Sequence, residues 1–121
     1  MTLEPSSDNA PTVALPAGAV AADIWDSTDP PQRVISFGCR GINGTTAEYG
    51  IELNDDEPAA VYTAAIQYAD GSVYLGEDRV QQPSIHVDTA PSCALTTDEA
   101  RRLAALLVEA ADKIDALRPA R

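Results

Sequence analysis

The feature that most constrains this chain is the run over residues 95–117, LTTDEARRLAALLVEAADKIDAL. Ala100, Leu103, Leu107, Ala110, Ile114 and Leu117 recur at spacings of 3, 4, 3, 4 and 3, the period that gathers apolar side chains on one stripe of an α-helix. Ala104 and Ala111 widen that stripe. Thr96 followed by Glu99 spells a capping box: the threonine hydroxyl accepts the N–H of position 99, and the glutamate reaches back to the N–H of position 96. Asp98 and Glu99 put negative charge at the positive end of the helix dipole. Arg118 suits the other end, and Pro119 stops continuation. Arg101, Arg102, Glu109, Asp112, Lys113 and Asp115 fall mostly away from the stripe, with Glu109 and Lys113 forming a favourable i, i+4 pair. A helix with one apolar stripe needs a second layer to cover it.

The preceding residues supply that layer as strands. Residues 33–39 (RVISFGC) alternate, placing Ile35, Phe37 and Cys39 on one face. GING at 41–44 turns the chain. Residues 46–53 then alternate again, with Ala47, Tyr49, Ile51 and Leu53 opposite Glu48, Gly50 and Glu52. Asp70-Gly71 between two β-rich runs matches a two-residue type I′ hairpin. That turn pairs Tyr68 with Val73 and Ile66 with Leu75, and sets these four on the buried face with Gln67 and Tyr74 on the other. Residues 80–88 give a further strand, Ile85 and Val87 inward and His86 outward, with Pro83 confining its first half to an edge or bulge. Residues 19–25 are a weaker strand candidate. The expected fold is α+β: an antiparallel meander of four or five strands, with the 96–117 helix across its Ile66/Tyr68/Val73/Leu75 face. Residues 1–18, polar and punctuated by Pro5, Pro11 and Pro16, read as a disordered tail, and 19–121 as a single domain.

Charge narrows function more than composition does. The net charge is −11. It is uneven, since residues 1–60 hold ten acids against Arg33 and Arg40 and residues 61–121 hold nine acids against six bases. A surface without clustered Lys or Arg excludes direct nucleic-acid binding. It suits a basic partner or imitation of a phosphate backbone. No apolar run of membrane-spanning length occurs, and the N-terminus lacks the basic and apolar regions of a secretory signal, so the expected compartment is the cytoplasm.

No catalytic, cofactor-binding or metal-ligating constellation is assembled. His86 is the only histidine and cannot hold a metal alone. Cys39 and Cys93 lack a C-x-x-C partner and read as small hydrophobes in a reducing compartment; a disulfide between them is possible but not expected. Asn54, Asp55, Asp56 and Glu57 lack the spacing and central glycine of a calcium loop, so they read as a solvated acidic turn. Ser36 and Ser84 lack the G-x-S-x-G context and an obvious base. Asn43-Gly44-Thr45 matches a glycosylation sequon, which has no meaning in the expected cytoplasmic compartment. The candidate interaction surface comprises Leu106, Val108, Trp25 and Tyr74. Leu106 and Val108 stand about 100° to either side of Leu107, so the helix is apolar over a wider arc than one sheet contact requires. That width serves either a broad sheet contact or a homodimer through helix 96–117. Trp25 and Tyr74, with Tyr62 as an alternative core residue, are aromatic contact candidates.

The ADGSV hairpin, IHVD and the following LTTDEARRLAALLVEAADKID together resemble small actinobacterial proteins found in mycobacteria, their phages and integrated prophages. The resemblance spans residues 60–117 and implies source and fold; no activity comes with it. Some of those proteins carry a Cys/His-rich N-terminal segment that suggests metal, whereas this chain offers only Cys39 there, so no zinc role transfers. The expectation is a non-enzymatic protein-interaction module, of the phage or prophage accessory kind. Its alternatives are an acidic DNA-mimic inhibitor of a nucleic-acid-binding host protein and an enzyme with an unrecognised site.

Overall fold

A computed structural model describes residues 13–118. It contains one antiparallel sheet and one helix: β1 (Ala21–Ala22), β2 (Gln32–Gly41), β3 (Thr46–Ala47), β4 (Ala59–Tyr68), β5 (Ser84–Thr89) and α1 (Thr97–Asp115). The sheet order is β1-β2-β4-β5, and β3 shares the β1 edge of β2. The α+β class and the packing of the C-terminal helix on the sheet are thus as the periodicities require.

The helix begins as its cap dictates. Thr96 Oγ1 accepts from Glu99 N at 3.1 Å, and Thr96 N donates to Glu99 Oε1 at 3.0 Å. Its stripe lies over β4, but over the opposite face of β4 from the one the Asp70-Gly71 turn suggests. Ala59, Val61, Thr63, Ala65 and Gln67 are buried, whereas Tyr62, Ala64, Ile66 and Tyr68 are only half-buried.

The cause is a one-residue slip in the hairpin. Tyr68 N donates to Ser72 O, Gly71 N donates to Tyr68 O, and Gln67 pairs with Val73. Gly71 has φ +93°. This is a three-residue loop, a type I turn closed by a left-handed glycine, in place of the two-residue turn. Because side chains alternate with period two, the slip moves Val73 to the helix side and leaves Ile66 and Tyr68 on the other. Val73 packs with Leu117, Ala19 and Ala22 against the core of Ile35, Phe37 and Ala65. Gln67, expected on the wet face, is fully buried.

β2 also changes parity. Ser36 pairs with Ala64 but Cys39 with Tyr62, so Phe37 and Gly38 together oppose Thr63 in a β-bulge. Gly38 supplies the required φ of +98°. Ile35 and Phe37 therefore face the helix, while Cys39, expected beside them, turns to the opposite face with Ser36 and Tyr62.

Two expected strands are shorter than their sequence pattern. Only Thr46–Ala47 of residues 46–53 pairs with β2. Beyond it the chain crosses the helix-free face, where Ser36 Oγ donates to Glu48 O. β5 starts at Ser84 because Pro83 has no N–H to give and residues 78–82 form a turn around Asp78.

The stretch 54–57 is not the wholly solvated acidic turn expected. Asn54 Oδ1 accepts from Asp56 N and Glu57 N, and this folds the Glu57 side chain inward. Its carboxylate is buried and accepts from Asn43 N at 2.7 Å and Thr45 N at 3.2 Å. A Cβ on Gly41 would overlap that carboxyl, so the turn needs glycine there. Residues 13–14 are tied to the sheet end by Arg33 to Val13 O and Gln67 Nε2 to Ala14 O, both 2.9 Å. Residues 1–12, most of the expected tail, and Pro119 lie outside the described residues. Among the described residues no helix is long and apolar enough to cross a membrane.

Candidate functional site

Two surfaces compete for a functional role. The first is a cleft of about 470 Å³ between α1 and the β2–β3 turn, lined by Arg40, Ile42, Asn43, Arg102, Leu106 and Glu109 among others. Its polar groups are committed to one another. Arg102 donates to Ile42 O (2.9 Å) and Asn43 Oδ1 (2.6 Å). Asn43 Nδ2 donates to Asp56 O (2.9 Å) and Glu99 Oε2 (2.8 Å). Glu109 pairs with Arg40 and Lys113, and Lys113 also reaches Phe37 O. These charges do not lie away from the sheet, as the apolar stripe implied. They form a second stripe, Glu99, Arg102, Leu106, Glu109 and Lys113, that clamps the helix to the sheet rim. The cleft is a seam of the fold.

The second surface is the helix-free face of the sheet. A groove there has two adjoining chambers of about 310 and 220 Å³ that share Val34, Tyr62 and Ala64. The first chamber continues past Ile66, Val80, Gln81, Gln82, Ser84 and His86. The second is closed by Asp23, Ser36, Tyr49, Gly50 and Asp88. Its floor follows from the register: Val34 pairs with Ile66, Ser36 with Ala64, Tyr62 with His86 and Ala60 with Asp88. The Tyr62 and His86 rings stack with centroids 4.4 Å apart and planes 4° from parallel. Such a cross-strand pair stiffens the floor. Val34 remains 44% exposed, an unusual position for valine at the middle of a sheet.

The electrostatics of the inner chamber are one-sided. Burial, then the charges of Asp23 and Glu48, raise the Tyr49 phenol above its ordinary value, with Arg33 opposing. Burial and then Asp88 raise Tyr62. Arg33 is itself occupied by Gln67 Oε1 at 2.9 Å, by Val13 O, and by the Trp25 ring, 4.4 Å below its guanidinium. The carboxylates of Asp23 and Asp88 have no hydrogen-bond or ion-pair partner among the described residues. Burial also raises the Cys39 thiol, with Asp88 adding to the effect. Cys39 and Cys93 are both free.

Ser84 Oγ and His86 Nε2 lie 2.8 Å apart in the outer chamber. Asp88 follows on the same face, so serine, histidine and aspartate occupy alternate positions of one strand. Alternate strand residues stand about 7 Å apart, and no hydrogen bond joins Asp88 to the imidazole among the described residues. The pair lacks the orienting group that makes histidine an effective base toward serine. Among the described residues no group of three or more His, Cys, Asp or Glu is placed to hold a metal ion.

The four sequence-selected contact residues are not brought together. Leu106 lines the helix-side cleft, Val108 stands 62% exposed on the other flank of α1, Trp25 lies beneath Arg33, and the Tyr74 hydroxyl accepts from Asp78 N at 3.2 Å. The groove residues Asp23, Val34, Tyr49 and Asp88 were not among them. Val34 and Asp88 already fall on the outward faces by alternation, whereas alternation assigns Tyr49 to the face opposite the acids of its strand. Fold and site together define a class, a two-layer α+β domain whose sheet leaves one grooved, aromatic-lined face uncovered. Comparisons with protein-family models, curated proteins and solved structures find no match.

Proposed function

We propose that this protein is a non-enzymatic interaction module whose working surface is the helix-free face of its sheet. The observation that carries the reading is the groove over Val34, Tyr62, Ala64 and Ile66: apolar and aromatic side chains held half-open where a two-layer domain ordinarily presents polar ones. Tyrosine-rich concave surfaces supply binding area at low entropic cost. The paired charges of the helix-side cleft support a structural role there. Imitation of a phosphate backbone calls for rows of carboxylates, whereas Asp23 and Asp88 border tyrosine rings, so the groove is the stronger support. Two free thiols suit action in the cytoplasm.

A random-peptide display selection on the whole chain, with counter-selection against Val34→Glu, tests this reading. Enriched peptides should perturb the backbone amide resonances of Val34, Tyr62, Ala64 and Ile66. Peptides that map to α1, or no enrichment over the variant, overturn the assignment.

A second reading, a homodimer through helix 96–117, is supported by exposed Val108, one helical turn from exposed Ala104. Leu106 is spent on the helix-side cleft, so Val108 is the residue to change. Sedimentation equilibrium at micromolar concentration should show a dimer that Val108→Glu dissociates; a monomeric wild type ends this reading.

A further inference from the structure

We propose that the inner chamber of the groove, bounded by Asp23, Tyr49, Tyr62 and Asp88, receives one cationic side chain, arginine or lysine, from an extended segment of a partner protein. The inference rests on the groove being the working surface and adds what the groove selects.

The chamber joins two features that match a cation on an aliphatic stem. Its polar rim is anionic: Asp23 extends from the end of β1 and Asp88 from β5, and neither carboxylate is engaged by another side chain among the described residues. Its walls are Tyr49 and Tyr62, with Val34 and Ala64 in the floor. Aromatic faces attract cations through their quadrupole, and an apolar floor suits the methylene stem. Burial first, and after it the charges of Asp23 and Glu48 at Tyr49 and of Asp88 at Tyr62, raise both phenols.

Arg33, the cation whose field reaches Tyr49, already serves Gln67, Val13 and Trp25, so the protein's own charge does not fill the chamber. A second copy of this chain is a poor occupant. It carries nineteen acids against eight basic residues, so it offers this anionic groove few cations. A basic partner is drawn to the same field. The outer chamber continues beside Tyr62, Ala64 and Ile66, a length of about 13 Å at strand spacing. That is the reach of four extended residues, enough for one anchoring cation and an apolar neighbour.

The test uses the whole chain and two small probes, N-acetyl-arginine methylamide and its uncharged isostere N-acetyl-citrulline methylamide. In an NMR titration the arginine probe should shift the amides of Tyr49, Gly50 and Tyr62, saturating at about millimolar concentration. The citrulline probe should bind about tenfold more weakly. Asp23→Asn with Asp88→Asn should reduce the arginine probe to the citrulline level, and Asp88→Lys should abolish its binding, each with an unchanged melting temperature. Equal binding of both probes, arginine binding indifferent to the double variant, shifts mapped elsewhere, or no binding at all would each overturn the inference. Its failure is distinguishable from failure of the groove reading. Display peptides that need Val34 but carry no basic residue would sink the cation receptor and leave the groove standing.

Discussion

The two faces of this sheet are built from different alphabets. On β4 the helix side presents small residues, Ala59, Val61, Thr63 and Ala65, against Ala110 of α1, the one buried residue of the helix among those described, while β2 adds Ile35 and Phe37. The open side carries the larger ones, Tyr62, Ile66, His86 and Val34. Among the described residues Phe37 is the one aromatic buried beneath the helix. Here small side chains bring α1 close, and a polar clamp through Asn43, Arg102 and Glu109 takes over part of the fixing that large side chains would provide. Tyr49, Tyr62 and His86 are left on the outside. The difference separates stability from recognition: one face holds the fold, and the other is free to change.

That separation is most open to challenge through two neighbours on β2. Ile35 is fully buried beneath the helix, and Val34, next in sequence, is 44% exposed in the groove. Ile35→Ala should cost about 2–5 kcal/mol, as a cavity in a packed core does. Val34→Ala should stay within about 0.5 kcal/mol while weakening peptide capture. Urea titration of both variants checks this, and comparable losses at the two positions would dissolve the distinction between the faces.

A smaller effect sharpens the polar side of the comparison. Gln67 is fully buried, with its amide shared among Ala14 O (2.9 Å), Gly71 O (3.2 Å) and Arg33 Nε (2.9 Å). Gln67→Ala leaves all three without their partner, at a cost of about 1–3 kcal/mol. Hydrogen exchange should show the 13–14 segment and the 69–72 turn opening first. A neutral substitution would mean that the helix side is held by packing alone.

The smallest effect is a matter of pH. The Thr96 N–H, then the Asn43 amide, hold the Glu99 carboxyl below its ordinary value of 4.5. A carboxylate whose folded-state pKa is depressed stabilises the protein above its unfolded value, and that contribution is lost as pH falls through the folded one. Glu99→Gln should therefore melt lower than wild type at pH 7, and the gap should close below pH 4.5. A gap unchanged at pH 3 would show that the clamp does not depend on the charge.

Much of the architecture was legible, and the errors share one origin. The capping box at Thr96 and Glu99, the 3–4 spacing to Leu117 and the inward Ile85 and outward His86 each rest on contacts near in sequence, and the structure keeps them. Periodicity says which residues share a face; it does not say which face meets the helix. That choice hung on one turn, and Asp70-Gly71 fits a three-residue loop as readily as a two-residue one when Gly71 takes the left-handed position. Gly38 did the same to β2 and sent Cys39 across. Part of the groove was hidden because Ile66 had been spent on the core. The clamp was visible in principle, since Glu99, Arg102, Leu106, Glu109 and Lys113 repeat at 3, 4, 3 and 4, but an apolar stripe beside it drew the eye.

The bulge at Gly38 also bears on how such a chain tolerates insertions and deletions. In an uninterrupted strand, losing one residue exchanges the two faces for everything that follows, and a compensating change must arise elsewhere. β2 already carries its odd residue, bent into a left-handed glycine. Removing it would leave Phe37 alone opposite Thr63 with Cys39 still opposite Tyr62, so Cys39 and Arg40 would keep the faces they already occupy. A single codon can thus be lost at this point of β2 without exchanging the two faces.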